Sequence, residues 1–268
     1  MAKAALSRAS ASLLSLDNIA AVRVRDREDI RRAAETLHHL VMKATGMRVA
    51  PTHDIADRGT PVDAQGAILA HDVFGWPDTA QAWWKNSSIA LNSPLTSACR
   101  FESEIFWANA EGFHTRMPNR YLSAIDLTHF ETRARTKAAI VVPIHLPFGQ
   151  IGAVSFNPID QDRVDLSAEF AAFGDAFTAL GRAFIASYVH AAGARPRLPA
   201  GTRLSKREIE CLRWAAIGKT DAEIGMILSR SRATVRFHIH NASVKLDAVN
   251  RSQTVFKAAQ LGYLSLST

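Results

Sequence analysis

Leu204-Ser-Lys-Arg-Glu-Ile-Glu-Cys-Leu212, Gly218-Lys-Thr-Asp-Ala-Glu-Ile-Gly225 and Thr234-Val-Arg-Phe-His-Ile-His-Asn241 decide the fold of the last quarter of this 268-residue chain. Ser205 with Glu208, and Thr220 with Glu223, each spell the S/T-x-x-E pattern in which two side chains satisfy the free amides of a helix start. The first helix then buries Ile209, Leu212 and Ala216 and ends at Gly218. The second runs from Asp221 to Leu228 and buries Ile224 and Leu228. Ser229-Arg-Ser231 reads as a turn, with Ser231 capping a third helix that reaches about Leu246 and buries Val235, Ile239 and Leu246. Asn250 or Ser252 opens a fourth helix ending near Gly262. Three short helices with a tight turn before the third form a helix-turn-helix, whose last helix is built to enter a major groove.

The charge supports a polyanionic partner. The chain carries a net +7, of which residues 201–268 hold +6 and residues 1–200 only +1, and an asymmetry of this kind points to nucleic acid. Arg232, Arg236 and His240 are four residues apart and share the face opposite Val235 and Ile239. An arginine there can bond a guanine edge with both nitrogens. Lys219, Arg230 and Lys245 flank the helix and suit phosphates, as do the hydroxyls of Thr220, Ser231 and Thr234 near helix N-termini.

Upstream, the pattern is mixed. Residues 1–20 read as a leader or a short helix and residues 21–190 as one domain, followed by a linker at 191–203 with two prolines and two glycines. Asp26–Gly46 is helical by its spacing of Ile30, Ala33, Leu37, Leu40 and Val41. Ala67–Ala70 is a strand candidate, Pro77 opens a helix to about Leu91, and Pro94 helps to stop it. Phe101–Ala108 reads as a strand and Asp126–Ala138 as a helix. Ala139–His145 and Gln150–Phe156 form a hairpin around Gly149, and Ser167 to about Ala191 is a long helix with Phe170, Phe173, Phe177, Leu180 and Phe184 on one side. The expected class is α+β: an α-β-α sandwich around an antiparallel sheet, then an all-α four-helix domain at 204–268.

Other classes find little support. No apolar run reaches 18 residues, so no membrane span is expected, and no signal peptide is apparent, which places the chain in the cytoplasm. Cys99 and Cys211 read as small buried hydrophobes of a reducing compartment. His38-His39, His71-Asp72 and His114 lack metal-ligand spacing. Ser97 or Ser155 with a distant His and Asp, the pair Glu102 and Glu104, and Gly149-x-x-Gly152 make no catalytic constellation. No catalytic residue, metal or cofactor is therefore expected.

Residues 204–264 resemble the LuxR-type (GerE-like) helix-turn-helix, whose pattern reads L-T-x-R-E-x-E-V-L, G-K-T-N-x-E-I-A, T-V-K-x-H-x-x-N, K-L and N-R. Here Lys245-Leu246 and Asn250-Arg251 complete it, while Asp221 stands for Asn and Gly225 for Ala. The resemblance implies a homodimer on two-fold symmetric double-stranded DNA, with RNA polymerase a further candidate partner. The residues before it lack a phosphoreceiver's acidic cluster. They resemble the autoinducer-binding domain of the quorum-sensing branch instead, through Trp76-Pro77-x-x-Ala80-x-x-x-Trp84, Ser93-Pro94, Ile105-Phe-Trp107 and Pro143-Ile-His-Leu-Pro-Phe-Gly149 with Gly152 and Ser155. In that family an Asp, a Trp and a Tyr hold an acyl-homoserine lactone; at those places this chain has Ser93, Ala80 and Trp84. A buried polar ligand group without its partner costs roughly 1–3 kcal/mol, so a conventional lactone is disfavoured. Trp76, Ala80 and Trp84 share a helix face, and with Phe101, Trp107, Tyr121 and Ser155 they are the candidate walls of an aromatic pocket for a small-molecule effector. The same aromatics equally fit a filled core, which would leave a ligand-independent regulator whose N-terminal domain only dimerises. An enzyme fused to a DNA-binding tail would need polar groups converging in a cleft.

Overall fold

A computed structural model describes residues 9–56, 60–77, 92–160, 162–193 and 203–265. The chain divides into two compact units, one ending at Arg195 and the next beginning at Pro196.

The first unit is built on one antiparallel sheet. Its strands are β1 (Met47–Thr52), β2 (Phe106–Asn109), β3 (Gly112–Thr115), β4 (Ala138–His145) and β5 (Ile151–Pro158), in the order β1-β5-β4-β2-β3. Successive side chains on a strand face opposite ways, and here each face buries its own core. Ile140, Val142, Val154, Phe156 and Trp107 face one cluster. Ala139, Val141, Ala153, Phe106 and Ala108 face the other. The first face is covered by α1 (Leu16–Ala21), α2 (Ile30–Thr45) and α6 (Ser167–Ala191). The second is covered by α4 (Pro94–Ala98), the single turn Leu122–Ala124 and α5 (Phe130–Ala134). This is the α-β-α sandwich expected from the sequence.

The long helix is seated by aromatic packing: Phe177 stacks on Phe156 of β5 at 3.9 Å, and Phe173, Leu180 and Phe184 are fully buried beside it. Each such side chain contributes about 1.5–3 kcal/mol by leaving water. The hairpin β4–β5 turns through Phe148 and Gly149, both with positive φ (67° and 74°).

Several boundaries differ from the sequence reading, each for a local reason. Of the leader or short helix read for residues 1–20, the described residues 9–20 are largely helical, and Leu13 and Val22 lie in the first core. Ala67–Ala70 is not a strand: Ile68 makes a lone bridge to Val62, and α3 (Leu69–Asp72) follows. That loop is held by buried Asp63, whose carboxylate accepts from the Gln65 and Ala67 amides and from Arg31 Nε at 2.8 Å. Pro94 begins α4 as its first residue, where its missing N–H costs nothing; the helix it was expected to stop lies outside the described residues. Phe101–Ile105 is a loop, because the Glu102 carboxylate accepts the amides of Ser103 and Glu104; the strand begins only at Phe106. The helix expected over 126–138 shrinks to α5, bounded by His129 and Arg135 in the left-handed region. Strands β1 and β3 are additional, both at sheet edges, and Pro51 in β1 is tolerated there because an edge residue need not donate. The helix expected over 77–91 and most of the 191–203 linker lie outside the described residues.

The second unit is all-α: α7 (Lys206–Ala216), α8 (Asp221–Leu228), α9 (Arg232–Lys245) and α10 (Arg251–Gln260). Both S/T-x-x-E patterns form complete capping boxes, at Ser205/Glu208 and Thr220/Glu223. Ser231 and Asn250 cap α9 and α10 by accepting from the amides of Thr234 and Gln253. The core holds Leu204, Leu212, Ile224, Val235, Ile239 and Leu246, with Cys211 in the place expected of Ala216, which is exposed.

Candidate nucleic-acid interface and effector cavity

The outer face of α9 is set by its inner one. Val235, Ile239 and Ala242 are buried, which turns Arg232, Arg236 and His240 to solvent together. Among the described residues none of these three makes an ion pair. Arg230 is exposed in the turn before the helix, and Ser231 and Thr234, whose hydroxyls bond each other at 2.8 Å, lie at its N-terminus. Thr220 is occupied with Glu223 in its capping box, and Lys219 stands 3.5 Å from the same carboxylate. The turn is tight. Arg230 N–H donates to the Gly225 carbonyl at 2.8 Å, and a Cβ on Gly225 would lie 2.7 Å from the Arg230 carbonyl oxygen.

Lys245, expected at a phosphate, pairs within the domain. Its ammonium donates to both oxygens of Glu208 at 2.9 Å, and Glu208 is buried and also accepts the Ser205 amide at 2.7 Å. Burial alone would raise the Glu208 carboxyl, but the Lys245 and Ser205 hydrogen bonds outweigh it and hold it below its ordinary value. Lys245 thus neutralises a buried charge between α7 and α9. Arg251 plays a parallel part, donating to the Lys219 carbonyl at 2.7 Å and pairing with Asp221, the acidic residue that stands where the resemblance has asparagine.

In the first unit a cavity of about 100 Å³ lies on the second face of the sheet. Its floor is Ala50 and Thr52 of β1, Val141 of β4 and Ala153, Ser155 and Asn157 of β5; Trp76, Leu95, Thr96, Cys99, Ala134 and Arg135 wall it. Of the eight expected pocket residues, the structure brings Trp76 and Ser155 together here. Trp76 spends its indole N–H on the Val49 carbonyl at 2.7 Å, so it offers a ring rather than a donor. Ser93 is fully buried, its hydroxyl has no hydrogen-bond partner, and it does not line the cavity. Trp107 faces the opposite core and stacks on His114 at 3.8 Å. Phe101 and Tyr121 are 53% and 54% exposed and stack on each other at the surface. Ala80 and Trp84 lie outside the described residues. The sequence reading missed Ala50, Thr52 and Asn157 because it missed the edge strand β1 and with it the parity of β5; alternation counted outward from Ser155 would have found Asn157.

The other titratable groups do not converge. His71 bonds Asp72 at 2.6 Å on the surface, His38 packs edge-on to Phe74, and His114 lies under Trp107. Among the described residues no three His, Cys, Asp or Glu side chains stand close enough to hold a metal, and no helix is long and apolar enough to cross a membrane. Burial pushes the Cys99 thiol up to about 12 and raises Cys211 as well, so both are neutral thiols.

Residues 202–258 match the family described as bacterial regulatory proteins, luxR family (GerE). The transcriptional activator protein VanR of Vibrio anguillarum is 36% identical over 130 residues, which is 48% of this chain and 52% of that protein. The quorum sensing-dependent transcriptional regulator RpaR of Rhodopseudomonas palustris is 45% identical over 85 residues, 31% of this chain and 35% of that one. The chain thus spans about half, or less, of the length of these curated relatives. The crystal structure of Escherichia coli SdiA aligns over 88% of this chain and 95% of that chain, at 21% identity and a TM-score of 0.42. With the family match lying on the capped, basic four-helix unit, the C-terminal part of this chain is a LuxR-type (GerE) helix-turn-helix domain.

Proposed function

We propose that the chain is a LuxR-type transcriptional regulator, acting in the cytoplasm as a homodimer on a two-fold symmetric operator. A small molecule in the cavity of the first unit governs its DNA binding, and that molecule is not a conventional acyl-homoserine lactone. The observation that carries the DNA-binding reading is the face of α9, where Arg232, Arg236 and His240 are exposed together and unpaired among the described residues. Arginines so placed read guanine edges in the major groove, and two such helices set the half-site spacing. Control by a small molecule is supported by the cavity itself: its walls are mostly apolar with a few polar groups, as in sites that bind small ligands. Ser93, Ala80 and Trp84, at the places where the resembled family anchors a lactone, support a different ligand.

The test is selection of bound duplexes from a random library by the full-length protein. Enrichment of a two-fold symmetric sequence is expected, with specificity at one position of each half-site relaxed in Arg236→Ala. Retention of random DNA without enrichment would refute the reading. A purified protein that recognises its operator equally well with and without cellular small-molecule extract would favour a ligand-independent dimer.

A further inference from the structure

We infer that α9 reads thymine as well as guanine, with Phe237 seating the C5-methyl group of a thymine beside the base edge that Arg236 bonds. The inference rests on the reading of α9 as the helix that enters the major groove, and adds a specificity-determining residue to it. At 3.6 residues per turn, the buried line Val235, Ile239 and Ala242 sets which positions point straight out. Phe237 and Ala233, one turn apart, lie most nearly opposite that line, and both are exposed. Arg236, also exposed, lies about a quarter turn to one side. The outermost ridge of the first two turns of α9 is therefore apolar, with the cation beside it.

Phe237 is 59% exposed, and its ring meets the His238 imidazole at 5.7 Å and no other ring among the described residues. The core of the unit is complete without it. A lone apolar side chain on an ordinary surface needs no explanation. This one stands beside Arg230, Arg232 and Arg236, all exposed, in a segment of net charge +6. Such charge suits a phosphate-walled groove rather than an apolar protein surface. In the major groove the apolar group on offer is the thymine methyl, and alanine and phenylalanine side chains are fit partners for it. The N-terminal part of a recognition helix reaches base edges, and Phe237 lies in the second turn of α9. Consecutive residues rise 1.5 Å along a helix, less than half the 3.4 Å step between base pairs. The thymine therefore falls within about two base pairs of the Arg236 guanine.

The test takes the symmetric site selected by the full-length protein and replaces the thymine nearest the Arg236-dependent guanine in each half-site with deoxyuridine, which lacks only the methyl group. In competition binding the replacement is expected to weaken the complex about four-fold per half-site, the factor that one buried methyl group supplies. Phe237→Ala is expected to bring the thymine-to-uracil ratio close to one, and Phe237→Leu, which keeps an apolar tip, to preserve it. Arg236→Ala should relax the guanine and leave that ratio standing. Selected sites with no thymine within about two base pairs of the guanine would overturn the inference while the DNA-binding reading stood. Equal binding of thymine and uracil sites by the wild type would do the same, as would an unchanged ratio in Phe237→Ala. A Phe237→Ala protein that sediments as a monomer, its ratio unchanged, would give this face to a second copy of the chain and overturn the inference too. Failure to enrich any site would sink both readings.

Discussion

Lys245→Met strips the ammonium from a carboxylate that is only 3% exposed, and the loss can be sized from the geometry. Lys245 makes two bonds of 2.9 Å to Glu208, which then keeps only the capping interactions with Ser205. Breaking a fully buried pair by deleting one partner costs about 3–5 kcal/mol. The Lys245 side chain is 40% exposed, so solvent already screens part of the attraction, and the expected loss falls to about 2 kcal/mol. That is roughly a thirty-fold rise in opening of the unit. Hydrogen exchange of residues 204–246 in the full-length protein reads this directly, because their amides exchange through that opening. The variant should lose protection across α7 and α9. Adding Glu208→Gln, which can still close the capping box, should restore part of it. Operator affinity should fall only as far as the unfolded fraction rises, with the salt slope unchanged. Unchanged protection together with a slope flatter by about one unit would mean that Lys245 contacts phosphate and that the pairing with Glu208 is incidental.

Arg236→Ala should cost about 1–3 kcal/mol on the operator and much less on random duplexes, measured by competition binding. The folded Glu208 carboxyl lies below its ordinary value of 4.5, so its contribution is complete above that pH and drains away as pH falls through the folded value; acid melts of the wild type should show this loss and those of Glu208→Gln should not. Phe177→Ala, which removes the ring stacked on Phe156, should cost about 3–5 kcal/mol in urea denaturation, and a cost below 1 would contradict the close packing of α6 on β5. Cys99 and Cys211 should resist a thiol reagent in the native protein and react in urea, both being buried and neutral.

What could be read in advance followed the range of the forces involved. The helices of the second unit were legible almost to the residue, since Ser205, Thr220, Ser231 and Asn250 fix their starts through bonds three residues long. The long helix α6 and the β4–β5 hairpin were equally plain from periodicity and the turn at Gly149. Edge strands β1 and β3 were not, because a short strand's pairing is set by distant neighbours such as Phe156 opposite Val49. The candidate pocket suffered from parity: Trp107 and Phe106 are adjacent, and a single step along β2 sends them to opposite cores. The Lys245–Glu208 pair spans 37 residues and leaves no local trace.

The close approach at Gly225 bears on mechanics. With the Arg230 carbonyl packed where a methyl group would stand, the link between α8 and α9 is fitted to a glycine. The Arg230 N–H bond to the Gly225 carbonyl at 2.8 Å closes the same turn from its other side. The same tightness makes alanine, the residue of the resembled pattern, unavailable at position 225 unless the Arg230 peptide first gives way.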